Sequence, residues 1–380
     1  MKTENNIHDC LIIGAGPIAL ALARTLELRG LSFCLCGELP RQRPNSPDLR
    51  TAALFDGSIR LLQRLGAWAH IEAAATPLDG IRIVDATGRL LRAPEQVFAA
   101  ADIGQTHLGF NIPNPALVEA LRQSLGATDA VTTSLTREIN LTVQVRQISQ
   151  AADHVVLTLG DGTQRRGRMA IGADGRASIT RTAAGISINS WDHDQAAVTA
   201  HFDHTLPSHS ISTEIHTQSG PCTVVPMGPT KASLVWMTRP TRAADLAAGT
   251  NDAFIAALEA RLDGLLGPVR AVSPRRVFPL STLIAERFAA NRMALVGESA
   301  HAFPPIGAQG LNLGLRDVAC LADHLAEAAA HGQDLGSEAT LDAYSRSRRA
   351  DINVRTYGVD AFNVSLSGRA AGLLRGAVLH

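Results

Sequence analysis

The chain has 380 residues, more than one average domain and suited to two closely joined ones, and 46% of them are hydrophobic, ample for a core. Lys+Arg and Asp+Glu are equal at 35 each, with no block of like charge, which excludes the electrostatic footprint of a nucleic-acid binder. No stretch reaches the roughly 18 uninterrupted apolar residues of a spanning helix.

Cys10, Cys34, Cys36, Cys222 and Cys320 are odd in number and lack a metal-ligand spacing. They read as small hydrophobes of a reducing compartment, so no metal is expected and the expected location is cytoplasmic. Alternation on a strand points Cys34 and Cys36 the same way. Lys2 followed by the apolar run Cys10 to Ala23 imitates a secretory signal, but Glu4, Asp9 and the Gly14-Ala15-Gly16-Pro17 breakers argue against one.

In chain order, His8 to Ile13 is a short apolar strand, Pro17 to Arg29 a helix opened by proline in its first turn, and Leu31 to Cys36 a second strand. The turn of this βαβ unit, Gly14-Ala-Gly16-Pro17-Ile-Ala19, fits the dinucleotide fingerprint: Gly14 for the tight turn, Gly16 for backbone approach to a pyrophosphate at a helix N-terminus, Ala19 for close packing. An acid for a ribose hydroxyl belongs at the end of the second strand. That position falls on Gly37, with Glu38 one residue later. Leu49 to Trp68 reads as an extended entry and then a helix with Ile59, Leu62 and Leu65 on one side. Asp79 to Leu91 reads as a hairpin around Thr87-Gly88, Asn114 to Leu125 as a helix, and Asn140–Val145, Val155–Leu159 and Arg165–Ile171 as strands, the last two joined by Gly160-Asp-Gly162. Trp191 to Arg239 is strand-rich, and Asp252 to Leu262 is one helix.

Met293 to Val296 is the pattern of a buried parallel strand, and Gly310 opens an amphipathic helix, Leu311 to Leu325. The loop between them holds Pro304, Pro305, Gly307 and Gly310, so its amides can face an anionic part of a ligand. Ser337 to Arg349 and the tail to His380 look helical. The tail sets Leu366, Leu373, Leu374, Val378 and Leu379 beside Arg369 and Arg375, which suits docking on the protein or contact with a membrane surface.

Three of these stretches resemble the motifs of the para-hydroxybenzoate hydroxylase family of class A flavoprotein monooxygenases. Gly297-Glu298-Ser299-Ala300-His301, Pro305 and Gln309-Gly310-Leu311-Asn312 follow its second flavin fingerprint. Glu298 and Ser299 stand where the family has Asp and Ala, and Gly307-Ala308 reverses its Ala-Gly. Gly172-Ala-Asp174-Gly175-Arg-Ala-Ser178-Ile-Thr-Arg181 matches the motif that serves FAD and the nicotinamide donor together. Arg50-Thr-Ala-Ala-Leu54 is similar to the Arg-x-x-Ala-Leu segment of the ubiquinone-biosynthesis hydroxylases, whose arginine lies against the cofactor.

The resemblance implies an α/β fold: a Rossmann-like FAD-binding domain (1–77, 104–182 and 280–335), an inserted β-sheet substrate domain (78–103 and 183–279) and a C-terminal helical segment (336–380). It implies FAD as cofactor, NADPH or NADH as electron donor, and O₂ held as a flavin C4a-hydroperoxide that carries the chemistry, so no catalytic side chain is expected and His301 reads as structural. The implied cofactor contacts are Gly14, Gly16, Pro17, Ala19, Gly37, Glu38, Arg50, Asn114, Asp174, Gly175, Glu298, Pro305, Gly307, Gln309, Gly310, Leu311 and Asn312. Val225, Pro226, Met227 and Trp236 are the expected substrate-pocket residues. A small hydrophobic aromatic substrate is implied, with a polyprenyl phenol suited to a chain that is only 4% aromatic, as are peripheral attachment to the inner membrane and a place in a quinone-pathway protein complex. A soluble phenol hydroxylase, a prenyl reductase, a halogenase and a scaffold subunit that has lost FAD are the alternatives.

Overall fold

The computed structural model describes residues 7–39, 48–88, 93–127, 131–134, 136–305 and 307–367, without the side chains of 132, 133 and 353–367. The Lys2 signal-like start and the tail residues beyond 367 lie outside the described residues.

Ile7–Ile13 is the centre of a mainly parallel sheet. It pairs in parallel with Phe33–Cys36 on one side and Gln164–Gly172 on the other; these pair in turn with Arg137–Asn140 and Met293–Leu295. All four residues of Phe33–Cys36 are buried, as the unbroken apolar run requires of a strand covered on both faces. The helix Pro17–Leu28 buries Leu20, Leu22 and Leu26 and packs against the helices Asn114–Leu125 and Gln309–Ala330. Strands Val145–Gln150 and Val155–Leu159 extend the sheet antiparallel beyond Gln164–Gly172.

The second sheet runs in the order 301–302, 276–285, 188–204, 231–238, 220–226, 211–217, 80–85, 96–99. Its pairings are antiparallel except that 80–85 runs parallel to 211–217, which ties residues 80–99 to the later strands. One face carries Val198, Phe202, Leu234 and Trp236 and is covered by Phe254, Leu258 and Leu262 of the helix Asn251–Leu262. A small third sheet joins Thr51–Phe55, Gly109–Pro113 and Thr76–Leu78.

The structure corrects three sequence expectations. Asn140–Val145 is not a strand: strands Arg137–Asn140 and Val145–Gln150 flank a turn in which Asn140 Oδ1 accepts from Thr142 N at 3.1 Å and Thr142 Oγ1 at 2.9 Å. Local side-chain bonding of this kind displaces ladder pairing. The hairpin near Thr87-Gly88 returns later than expected, at Gln96–Ala99, because Asp85 accepts from both Thr87 N and Ala93 N and holds a wider connection. A helix that the sequence reading lacks, Pro240–Ala248, precedes Asn251–Leu262. Among the described residues the C-terminal helix Glu338–Ser367 is the longest, and no helix is long and apolar enough to cross a membrane.

Candidate functional site

The carboxyl ends of Ile7–Ile13, Gln164–Gly172 and Met293–Leu295 lie side by side, the position at which open α/β sheets bind ligands. Gly14 has φ +134°, and a Cβ there would stand 2.3 Å from the Ala173 carbonyl oxygen. Its N–H donates to Cys36 O at 2.9 Å. Gly16, the N-cap of Pro17–Leu28, has ordinary extended backbone and open space where a Cβ would be. The two glycines thus answer different needs: the first a strained, crowded turn, the second an open approach to a helix N-terminus. Pro17 is in the first helical turn and Ala19 is fully buried. A Cβ on Gly37 would lie 2.5 Å from the Gly14 carbonyl carbon, so this backbone has no room for an acid there. Glu38 next to it is exposed and accepts from Gln144 Nε2 at 2.7 Å.

The second loop leaves the sheet with Ala173 N donating to Ile13 O at 2.8 Å. Asp174 Oδ2 accepts from Thr180 N and Oγ1, while its other carboxylate oxygen, Oδ1, is buried with no hydrogen-bond partner. Gly175 follows with φ +76°. Ser178 caps the short helix Ile179–Ala183, whose Arg181 reaches Ser299 O at 2.9 Å and so ties the second loop to the third.

In the third loop, Gly297 (φ +63°) donates its N–H to Asp317 Oδ2 at 2.9 Å. Ser299 is fully buried; its Oγ reaches the Gly172 carbonyl at 2.6 Å and accepts from Val296 N at 3.1 Å. The serine at this position therefore stitches neighbouring strand ends together. Glu298 between them is exposed. Asp317 also meets His301 Nε2 at 2.6 Å and accepts from Arg348 Nε at 2.7 Å, and the His301 ring stacks on Phe288 and Phe303. This buried bracket fastens the loop to the C-terminal helix. Pro305 is exposed, Gly307 and Ala308 both have left-handed backbone, and Gln309 starts the long helix. Gly310 is exposed with open space at its Cβ position, and Leu311 is half-buried.

Asn312 is the bracket between this helix and the segment after Arg50. Its Oδ1 accepts from Phe55 N and Ser58 Oγ, and its Nδ2 donates to Ala53 O and Ala308 O. With both ends of the amide engaged, it positions the loop and has no donor left for a ligand. Arg50 is gripped by Asp48 through Nε and Nη2, both at 2.8 Å. Those bonds raise its pKa above the ordinary value, burial opposes them, and the charge of Glu298 adds to the rise. Burial pushes Asp48 up, but Arg50's hydrogen bonds and charge outweigh it and hold the carboxyl below its ordinary range. Asn114 N donates to Arg50 O at 3.0 Å, and Asn114 Oδ1 is buried without a hydrogen-bond partner.

The antiparallel sheet turns its other face to this region. Thr51 Oγ1 meets Ser233 Oγ at 3.1 Å, and His201 Nε2 donates to Leu49 O at 2.6 Å; burial first, against that bond, lowers the His201 pKa. Cross-strand register puts Val225 with Ser233 and His201 on this face, and Thr199 with Val235. Of the expected pocket residues, Val225 and Met227 are half-buried, and Pro226 O accepts from Asn111 Nδ2 at 2.9 Å. Trp236 is a correction. It is 2% exposed and packs with Phe254 and Arg261 on the opposite face, because its place one residue from Val235 sends it the other way. Thr199, His201, Ser233 and Val235 escaped the sequence reading; the strand alternation that reveals them needed a known partner to say which face is which.

Comparison with known proteins agrees with this geometry. The FAD binding domain family matches residues 8–354. The chain is 34% identical to the ubiquinone hydroxylase UbiL of Rhodospirillum rubrum over 92% of its own length and 79% of that protein. It is 28% identical to the 3-demethoxyubiquinol 3-hydroxylase of Escherichia coli over 96% and 91%. Its fold matches that of PqsL, a probable FAD-dependent monooxygenase from Pseudomonas aeruginosa, with a TM-score of 0.77 at 22% identity, covering 96% and 98% of the two chains. The chain belongs to the FAD binding domain family and has the fold of the class A flavin monooxygenases.

Proposed function

We propose that this protein is an FAD-dependent aromatic-ring hydroxylase that uses NADPH or NADH and O₂ and acts on a polyprenyl phenol in ubiquinone biosynthesis. The observation that carries the reading is the meeting of three glycine-bearing loops at one sheet edge, in a chain 34% identical to a ubiquinone hydroxylase over 92% of its length. The residues fit FAD. Gly16 and Gly310 leave open space at the N-termini of two long helices, where phosphate oxygens approach backbone amides, and Asp174 keeps a buried acceptor oxygen available for a hydroxyl.

In this reading Gly14, Gly16, Pro17 and Ala19 shape the pyrophosphate turn. Glu38 takes the adenosine ribose, since Gly37 has no room for a side chain. Arg50, Asn114, Asp174, Gly175 and Glu298 face the middle of the cofactor, and Pro305, Gly307, Gln309, Gly310 and Leu311 the flavin end. Ser299, Asn312 and Asp317 hold these loops in place. Activation of O₂ and its transfer to an electron-rich ring are chemistry that the flavin supplies when bound; the protein's part is orientation and exclusion of water. The sheet face of Thr199, His201, Val225, Ser233 and Val235 receives the substrate, which would be recognised chiefly by burial of its apolar chain.

The division into an FAD-binding part (1–77, 104–182 and 280–335), a β-rich substrate part and a helical end belongs to the same proposal, as does peripheral attachment to the inner membrane. The test is expression in strains that each lack one quinone-ring hydroxylase, followed by analysis of the extracted quinones. Restoration in one strain is expected. Failure in all of them, with turnover of a soluble phenol by the purified protein, rejects the quinone substrate and keeps the hydroxylase.

A further inference from the structure

The parallel sheet buries a second polar cluster, on strands that carry the cofactor turn but with side chains the proposed reaction does not use. His8 is the second residue of the first strand, Cys34 lies on the second, and Glu138 is register-paired with Cys34 on the third. One ligand atom from each lies within 4.8 Å of the others, and the three residues are 3%, 0% and 3% exposed. Cys36 Sγ lies 3.5 Å from Cys34 Sγ, as same-side alternation on a strand allows, so a second sulfur borders the cluster.

We propose that His8, Cys34, Cys36 and Glu138 form a binding site for a divalent cation of the zinc class. An imidazole, two thiols and a carboxylate are the donor set of a borderline-soft ion with a tetrahedral preference. A point equidistant from three atoms 4.8 Å apart is about 2.8 Å from each, so small side-chain adjustments reach zinc bond lengths. The approach is on the side of Arg165, whose guanidinium binds both Glu138 oxygens at 2.7 and 2.8 Å through Nε and whose side chain is 27% exposed. Arg165 is the cation that a buried carboxylate needs when no metal is present. Metal entry turns it off the carboxylate toward solvent, and the thiols release their protons as sulfur–metal bonds form. The site touches the cofactor region through the backbone, because Cys36 O accepts from Gly14 N.

The experiment uses the tag-free, flavin-loaded protein under a non-chelating reductant. Cobalt(II) is titrated as the probe, reading thiolate-to-metal and d–d absorption as a difference spectrum beside proton release in weak buffer. Zinc then competes for the site, and the thermal midpoint is followed with and without zinc. The expected result is one equivalent of thiolate-bound cobalt per chain, displaced by zinc, with protons released and a zinc-dependent rise in midpoint. All of these should be lost in Cys34→Ala and kept in Cys320→Ala, which removes the least buried thiol; Cys34→Ser replaces the alanine variant should that one not fold. Absence of thiolate–cobalt bands in the wild type overturns the proposal, as does their survival in the Cys34 variant.

Discussion

The edge of the parallel sheet and the inner face of the antiparallel sheet offer a ligand opposite kinds of surface. At the edge, the groups that face outward are largely backbone: the turn at Gly14 and Gly16, the Asp174-Gly175 turn and the Gly307-to-Gly310 entry into the last large helix. Side chains there mostly act behind the lines, as Ser299, Asn312 and Asp317 do in bracing loops. On the antiparallel face the ligand would meet side chains alone, a half-buried mixture of Thr199, His201, Val225 and Val235. Backbone recognition demands particular residues, glycine above all, at particular spacings. Recognition by a side-chain face tolerates any set with the right area and polarity, and so leaves no motif.

The largest expected effect tests the bracing. Asp317 is fully buried between His301, Arg348 and Gly297 N, and Asp317→Ala leaves the buried Arg348 guanidinium with Asp351 as its remaining carboxylate partner and strips His301 and Gly297 N of theirs, at a cost of about 3–5 kcal/mol. Denaturant unfolding of the two proteins measures it; a change under 1 kcal/mol, taking that as roughly the value of an exposed pair, would mean the bracket is ornamental.

Next is the contrast within one turn. Gly14→Val sets a branched side chain at φ +134° against the Ala173 carbonyl and should destabilise the fold by roughly 3 kcal/mol or more. Gly16→Val has ordinary backbone and open space; it should keep the midpoint of the flavin-free wild type yet purify without flavin. Flavin retained in Gly16→Val would break the assignment of this turn to the pyrophosphate.

Glu298 separates a side chain that faces the cofactor from one that has drifted away. Glu298→Ala should weaken FAD binding by about 1.5–3 kcal/mol, the value of a charge-assisted hydrogen bond, while Glu298→Asp holds or tightens it. Equal affinities in titrations of the apoprotein would remove Glu298 from the site. A smaller effect joins the two regions: Ser233→Ala, which cuts the contact with Thr51 Oγ1, should cost about 1 kcal/mol of stability and shift KM more than kcat.

The smallest is a pH effect at Asp48. Its folded pKa lies below the ordinary 3.8, so its contribution is complete above that value and is lost as pH falls through the lower folded one. Acid unfolding of the wild type and Asp48→Asn should therefore differ in stability at pH 5 to 7, about where carboxylates are ionised, and converge below the folded value. Parallel curves throughout would show that the Arg50 grip contributes nothing.

Much of the cofactor half was legible in the residues themselves. The βαβ unit, the helix Asn114–Leu125 and the strand Val155–Leu159 stand where periodicity and punctuation set them, because unbroken apolar runs, a first-turn proline and glycine turns are local signals. The misplaced strand at Asn140–Val145 and the displaced hairpin partner are also local in origin, through the Asn140 and Asp85 side chains. Periodicity does not register such bonds, since a carboxylate or amide reads as polar whichever backbone group it holds.

By itself, then, the sequence determined the parallel core, the glycine turns and the spacing of the loops, all set by backbone sterics within a few residues. Tertiary structure alone decided which face of a strand is which. It turned Trp236 onto the helix-covered face of the antiparallel sheet and Val235 onto the other, closed both ends of Asn312 within the protein, and brought His8, Cys34 and Glu138 together from three strands. Each of those outcomes depends on partners far away along the chain, and a side chain's chemistry is settled by what it meets.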